Sequence, residues 1–236
     1  MAKVKHKDSK SHRSDIIESS EVIAEQISKT EKFIEENKKL VFSIGGVIAL
    51  LVAGFFLYKY YITNQNSQAQ SEMFQAVYYF ESDSLDRALD GDGNNLGFIE
   101  IIADYPMTDA ANLANYYAGA CYLKKGEYFA AIEHLENFSA SNILIQARAY
   151  ALIGDALMET EDYEGAAKQY KKAADYKSDE FTSPQYLIKC AVAYEMLNDY
   201  QSAFDCYDEI ITKYVKSLEY QDARKQKARL QGLMAG

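Results

Sequence analysis

Few residues in this chain have the types and spacing that chemistry requires. There are three histidines, and His6 and His12 fall within the basic polar stretch Met1 to Ser14. His134 stands further on, among residues with helical periodicity, with Cys121 thirteen positions before it. An imidazole beside a thiol can generate a thiolate nucleophile, and two antiparallel helices would bring this pair together. No third group is placed to orient the histidine, so packing is the preferred reading of both. Cys121, Cys190 and Cys206 are odd in number and do not make a complete disulfide framework. Cys190 and Cys206 could meet across one helix pair and close a disulfide in an oxidising compartment, but small buried thiols are the preferred reading.

The stretch Asp90-Gly91-Asp92-Gly93-Asn94 imitates the opening of a calcium-binding loop, with oxygen donors at its first, third and fifth positions. Asn95 then occupies the place of the sharp-turn glycine. Ile101 stands where the bidentate glutamate belongs, with Glu100 one residue early. A structured loop between helices is the better reading, since Gly, Asp and Asn are also what tight turns require. Gly91, Gly93 and Gly97 do not spell a dinucleotide fingerprint, and no strand precedes them. The expectation is a non-enzymatic chain with no catalytic, cofactor or metal residues, whose function lies in its surfaces.

The elements that would position such surfaces are helical. Over 236 residues there are 2 prolines, 12 glycines, 20 tyrosines and no tryptophan, with 48% hydrophobic residues. This is normal apolar content with scarce turn punctuation, which favours long helices and predicts an all-α fold. A net charge of -10 opposes phosphate neutralisation, so nucleic acid is not an expected partner. The mean hydropathy of -0.32 rules out a polytopic membrane protein. It conceals one run, Leu40 to Tyr58, without a charge or a proline. As a helix that run spans roughly 28 Å, close to the thickness of a hydrocarbon core, and it predicts a single transmembrane anchor. Ser67-Gln68-Ala69 loosely resembles a signal cleavage site, but the 39-residue leader favours an uncleaved anchor.

Lys29, Lys32, Lys38 and Lys39 precede the run, and only Lys59 follows within twenty residues. That asymmetry predicts a cytoplasmic N-terminus and an exported C-terminal part, with Tyr58, Tyr60 and Tyr61 at the outer interface. The exported part carries 16 Lys and Arg against 27 Asp and Glu. Ile16, Ile23, Ile27 and Ile34 approach a heptad seam, read either as a partner-binding helix or, preferably, as a solvated helix extending the anchor. Gly45, Ala49 and Ala53 form a small-xxx-small row in the span.

Self-comparison of the remainder finds a period near 35 residues. Tyr128-x-x-Ala131-x-x-x-Leu135 recurs as Tyr163-x-x-Ala166-x-x-x-Tyr170 and as Tyr200-x-x-Ala203-x-x-x-Tyr207. Nine residues before each leading tyrosine stands a small residue: Gly119, Gly154 or Ala191. Three further on comes a large one: Tyr122, Leu157 or Tyr194. Small residues suit close helix crossings, and Gly126, Glu161 and Asn198 are placed in the intervening turns. This pattern resembles the tetratricopeptide repeat. Asn115, Tyr150 and Leu187 replace its usual tryptophan, and only the first unit keeps a turn glycine.

The expected architecture is a single N-terminal transmembrane helix followed by a tetratricopeptide-like helical solenoid. Residues 1–39 form a cytoplasmic tail, 40–58 the anchor and 59–67 a linker. Residues 68–110 form a degenerate helix pair, with helices near Gln68 to Phe80 and Leu96 to Pro106. Three repeats occupy 111–215, and 216–236 supplies a capping helix and C-terminus.

The resemblance implies that the first helix of each unit faces a binding groove. The matching positions are Leu113, Tyr116, Ala120 and Lys124; Arg148, Ala151, Asp155 and Glu159; and Gln185, Ile188, Val192 and Met196. Tyr116, Ile188, Val192 and Met196 are expected to be apolar but open to solvent. The set lacks the Lys and Asn pattern that clamps a terminal carboxylate, so an apolar helix or extended segment is the expected ligand. Tail, anchor and repeat domain together are similar to the bacterial YfgM-like proteins. That similarity implies a periplasmic repeat domain on the inner membrane, ancillary to the Sec translocon, with the export channel, periplasmic chaperones or client segments as protein partners and no small-molecule substrate. A structural adaptor of an envelope assembly and an organelle-surface import receptor are the competing readings.

Overall fold

The computed structural model describes Ser28 and residues 31–235, and every regular element among them is helical. The basic tail and the seam residues Ile16, Ile23 and Ile27 lie outside the described residues. The chain divides into two compact units, Met1–Tyr60 and Tyr61–Gly236.

In the first unit, α1 (Lys38–Glu81) contains the apolar run Leu40 to Tyr58. The helix is long and apolar enough to cross a membrane by length and composition, and none of its most apolar window is buried. Phe42 and Leu50 are more than 70% exposed. The residues expected as a linker, 59–67, are helical instead. Hydropathy falls sharply after Tyr58, but no glycine or proline occurs between Lys59 and Glu81, so nothing there breaks the backbone. The separate helix expected from Gln68 to Phe80 is therefore the last part of α1.

In the second unit, α1 buries Ala69, Met73 and Ala76, the i, i+4, i+7 spacing of one helix face. Nine helices follow: α2 (Leu85–Asp90), α3 (Phe98–Asp104), α4 (Asp109–Lys125), α5 (Tyr128–Glu136), α6 (Ile143–Glu159), α7 (Tyr163–Asp175), α8 (Ser183–Met196), α9 (Tyr200–Lys213) and α10 (Tyr220–Ala235). From α3 onward each helix packs on the next in sequence. Short connections between packed neighbours make them antiparallel hairpins.

Several helix starts are written in side chains that accept hydrogen bonds from otherwise unpaired backbone amides. Thr108 accepts from Ala111 N at 3.1 Å, Asn142 from Leu144 N at 2.9 Å, Asp162 from Gly165 N at 2.9 Å and Asp199 from Ser202 N at 3.0 Å. Pro184, in the first turn of α8, needs no such partner.

Four turns share one geometry. Asp83, Gly126, Glu161 and Asn198 adopt φ of 59°, 78°, 63° and 58°. The amide after each donates five residues back: Ser84 to Tyr79, Glu127 to Tyr122, Asp162 to Leu157 and Asp199 to Tyr194, at 2.8 to 3.0 Å. This is the left-handed helix ending that caps the last carbonyls. The turn at Asp83 was not anticipated, and it exposes a further hairpin in the same register. Ala76, Tyr79, Leu85 and Ala88 stand to Asp83 as Gly119, Tyr122, Tyr128 and Ala131 stand to Gly126. Ala76 and Ala88 are fully buried, as are Ala131, Ala166, Ala191 and Ala203.

The small residues sit where helices touch. A Cβ on Gly119 would lie 2.5 Å from Leu135 Cγ and 3.0 Å from the Ala131 carbonyl oxygen, and one on Gly154 would lie 2.7 Å from Tyr170 Cε1. At the other end α10 packs on α9 through Ala223 and Leu230. Lys227 pairs with Asp208 at 2.5 Å and Arg229 pairs with Glu195.

Candidate protein-binding cleft

The residues with chemical potential are absorbed by packing. Cys121 is fully buried, and burial pushes its thiol up to about 12. His134 Nδ1 lies 2.9 Å from Asn115 Oδ1, and its ring stacks on Tyr122 at 5.3 Å between centroids. Burial lowers the histidine's pKa. The imidazole is thus engaged by an amide and a ring, while the thiol is held protonated.

The loop between α2 and α3 is organised around Asp92. One carboxylate oxygen accepts from Asn94 N and Asn95 N, both at 2.8 Å. The other accepts from the Tyr79 hydroxyl at 2.6 Å and from the Asn95 amide at 2.9 Å. These bonds, that from Tyr79 foremost, hold the carboxyl far below its ordinary range. Both Asp92 oxygens are spent on the turn itself. Among the described residues no group of three or more His, Cys, Asp and Glu is placed to hold a metal.

The surface is more informative. Between the end of α1, α4 and α6 lies a cleft of about 420 Å³. Its walls are apolar and aromatic: Phe80 from α1; Tyr116, Tyr117, Ala120 and Leu123 from α4; Leu144, Ile145 and Leu152 from α6. Glu81, Lys124 and Arg148 add charge. Tyr117 is the hinge of an aromatic group, stacked on Phe98 at 5.2 Å and edge-on to Phe80 at 5.3 Å. Such rings supply a rigid wall at little entropic cost. The Lys124 ammonium lies 5.2 Å from the Phe80 ring and 2.7 Å from Asp83, which fixes one side of the mouth. Leu144 is 59% exposed at the opening.

Tyr116, Ala120, Lys124 and Arg148 of the expected groove do meet here. The expectation that Tyr116 is open to solvent is corrected: it is 8% exposed, tilted against Phe138 at 5.2 Å and packed with Leu135, Ala149 and Ile153. Only an edge of it reaches the cleft. Leu113 is partly buried between two clusters of the core.

The remaining expected residues lie elsewhere. Asp155 and Glu159 line a more polar depression with Tyr128, Tyr170 and Lys189. There Asp155 accepts from the Tyr170 hydroxyl and pairs with Lys189, both at 2.7 Å. Gln185 borders a third depression with Phe181 and Leu218, which are 81% and 93% exposed. Ala151 is buried and Ile188 is half-buried against the last hairpins, while Val192 and Met196 are open as expected. Phe80, Tyr117, Leu144, Ile145 and Leu152 were missed. The signal for Phe80 was its place three residues before Asp83, in the hairpin that the periodicity did not find.

No family model and no curated protein matches this sequence.

Proposed function

We propose that the chain is a non-catalytic, membrane-tethered protein-interaction module, built from tetratricopeptide-like hairpins, that holds an apolar segment of a partner protein in the cleft between α1, α4 and α6. The observation that carries this reading is the cleft itself, an aromatic and aliphatic surface left open beside the charged groups Lys124 and Arg148. Exposed apolar surface in a concave setting is the usual mark of a contact site, and stacked helical hairpins commonly present one. The repeated turn geometry and the small residues at the crossings support the repeat reading. The unburied apolar run of α1 supports a tether, and the lysines before it support a cytoplasmic N-terminus with the hairpins exported. In a bacterial inner membrane this arrangement suits a protein ancillary to export or to periplasmic folding.

The test is photo-crosslinking in intact membranes from a reactive residue at position 144, in the cleft, and from one at position 129, where Phe129 is 80% exposed and does not line it. Discrete partner adducts from 144 and none of the same species from 129 support the proposal. The same adducts from both positions, or none from 144, contradict it.

A further inference from the structure

Cys190 of α8 and Cys206 of α9 are both buried and both free. Their sulfur atoms are 3.3 Å apart, with the Cys206 thiol directed at the Cys190 sulfur. The Cys190 thiol in turn points to the Ala167 carbonyl oxygen at 3.4 Å. A disulfide bond is about 2.0 Å long, so the two sulfurs need about 1.3 Å of further approach, within the reach of small side-chain rotations. The two helices already pack as a hairpin, so no element has to move to bring the pair together.

The pair is also reachable. Cys190 is fully buried, but Cys206 keeps 5% exposure and lines a surface depression with Lys171, Tyr194 and Glu209. The contact with Cys206 and burial both raise the pKa of Cys190, which makes it a poor first nucleophile. Entry therefore falls to Cys206. Cys121 lies in another cluster of the core and provides an internal control.

We infer that Cys190 and Cys206 are a modification site, a dithiol that closes to an intramolecular disulfide by exchange with a small disulfide such as oxidised glutathione. The Cys206 thiolate attacks one sulfur of the oxidant, forming a mixed disulfide and releasing one glutathione thiolate. Cys190 then loses its proton and attacks Cys206 Sγ, expelling the second thiolate. One S–S bond replaces two S–H bonds. Two protons pass to the released thiolates or to solvent, and two electrons reduce the oxidant to two thiols. The bond would tie α8 to α9 across sixteen positions and restrict the unfolded chain. This inference goes beyond the interaction reading and does not depend on which side of a membrane the hairpins occupy.

The experiment uses the full chain purified reduced in detergent, equilibrated under native conditions with oxidised glutathione, acid-quenched, denatured and alkylated. Intact mass then counts the remaining thiols. The expected result is a fall from three alkylated cysteines to one, a protein lighter by two hydrogens, and peptide mapping that leaves Cys121 as the alkylated residue. The melting temperature should rise on the order of 5 °C in the oxidised form. Cys190→Ala should instead retain a glutathione on Cys206, and Cys206→Ala should retain none on Cys190. Three alkylated cysteines after equilibration, a bond that includes Cys121, or closure only in denaturant would overturn the inference.

Discussion

At the scale of single residues, the packing of this chain turns on where side chains are absent or awkward. A methyl group at Gly154 would meet the Tyr170 ring at 2.7 Å, and that ring is fixed by its hydroxyl's bond to Asp155. Gly154→Ala should therefore destabilise the second unit by about 1–3 kcal/mol despite the better helix propensity of alanine, as read from denaturant unfolding. Glu161 shows the opposite opportunity. It holds φ of 63°, a conformation that costs a side-chain-bearing residue roughly 1–2 kcal/mol. Glu161→Gly should raise stability by on the order of 0.5–1 kcal/mol, after allowing for glycine's greater entropy in the unfolded chain.

His134 gives a pH dependence whose sign is fixed. Burial lowers its pKa in the folded state, so the unfolded chain binds the proton more readily. Its contribution is fully present above the ordinary histidine value near 6.5 and is lost as pH falls from there through the depressed folded value. His134→Gln, which can still bond to Asn115, should flatten the stability profile in that window in a urea titration carried out pH by pH.

At the scale of elements, the period written in Tyr128, Tyr163 and Tyr200 located the hairpins α4–α5, α6–α7 and α8–α9 with their turns at Gly126, Glu161 and Asn198. The helix pair expected before them was given the wrong second helix, Leu96 to Pro106 in place of α2. Ala88 precedes Ala131 by 43 residues, whereas the later steps are 35 and 37, because the Asp92-centred loop is inserted between α2 and α3. An insertion of that size hides a repeat from any fixed-period comparison. The true end of α1 was hidden for another reason: hydropathy changes after Tyr58 but helix propensity does not. Ala166 tests the register. It is fully buried in the core cluster that its hairpin shares with the next, and Ala166→Leu should cost about 1–3 kcal/mol. An unchanged melting temperature would place that position on the wrong face.

The cleft was only half legible. The resemblance to the tetratricopeptide repeat put Lys124 and Arg148 in a groove, but the burial of Tyr116 depends on Phe138, which follows α5 in the chain, and the wall depends on Phe80 from the hairpin of α1 and α2. Contacts between hairpins leave no local trace in sequence.

At the scale of the whole molecule, the chain carries an apolar helix and a set of hairpins with an open apolar cleft. A reporter active only outside the cytoplasm, fused after Gly236, should be active in a membrane-inserted fusion, since within twenty residues of the apolar run four lysines precede it and one follows. Silence from a well-inserted fusion would reverse the orientation without touching the cleft. The most direct measurement of the central claim is partner recovery by full-length Leu144→Asp, set beside its melting temperature. Leu144 is 59% exposed, so the charge should leave folding unchanged while it places a charged carboxylate where an apolar contact is proposed. The expected result is a melting temperature equal to that of the parent chain and recovery weakened at least 10-fold, about the 1.4 kcal/mol of one lost apolar contact. Full recovery with a folded variant would contradict it.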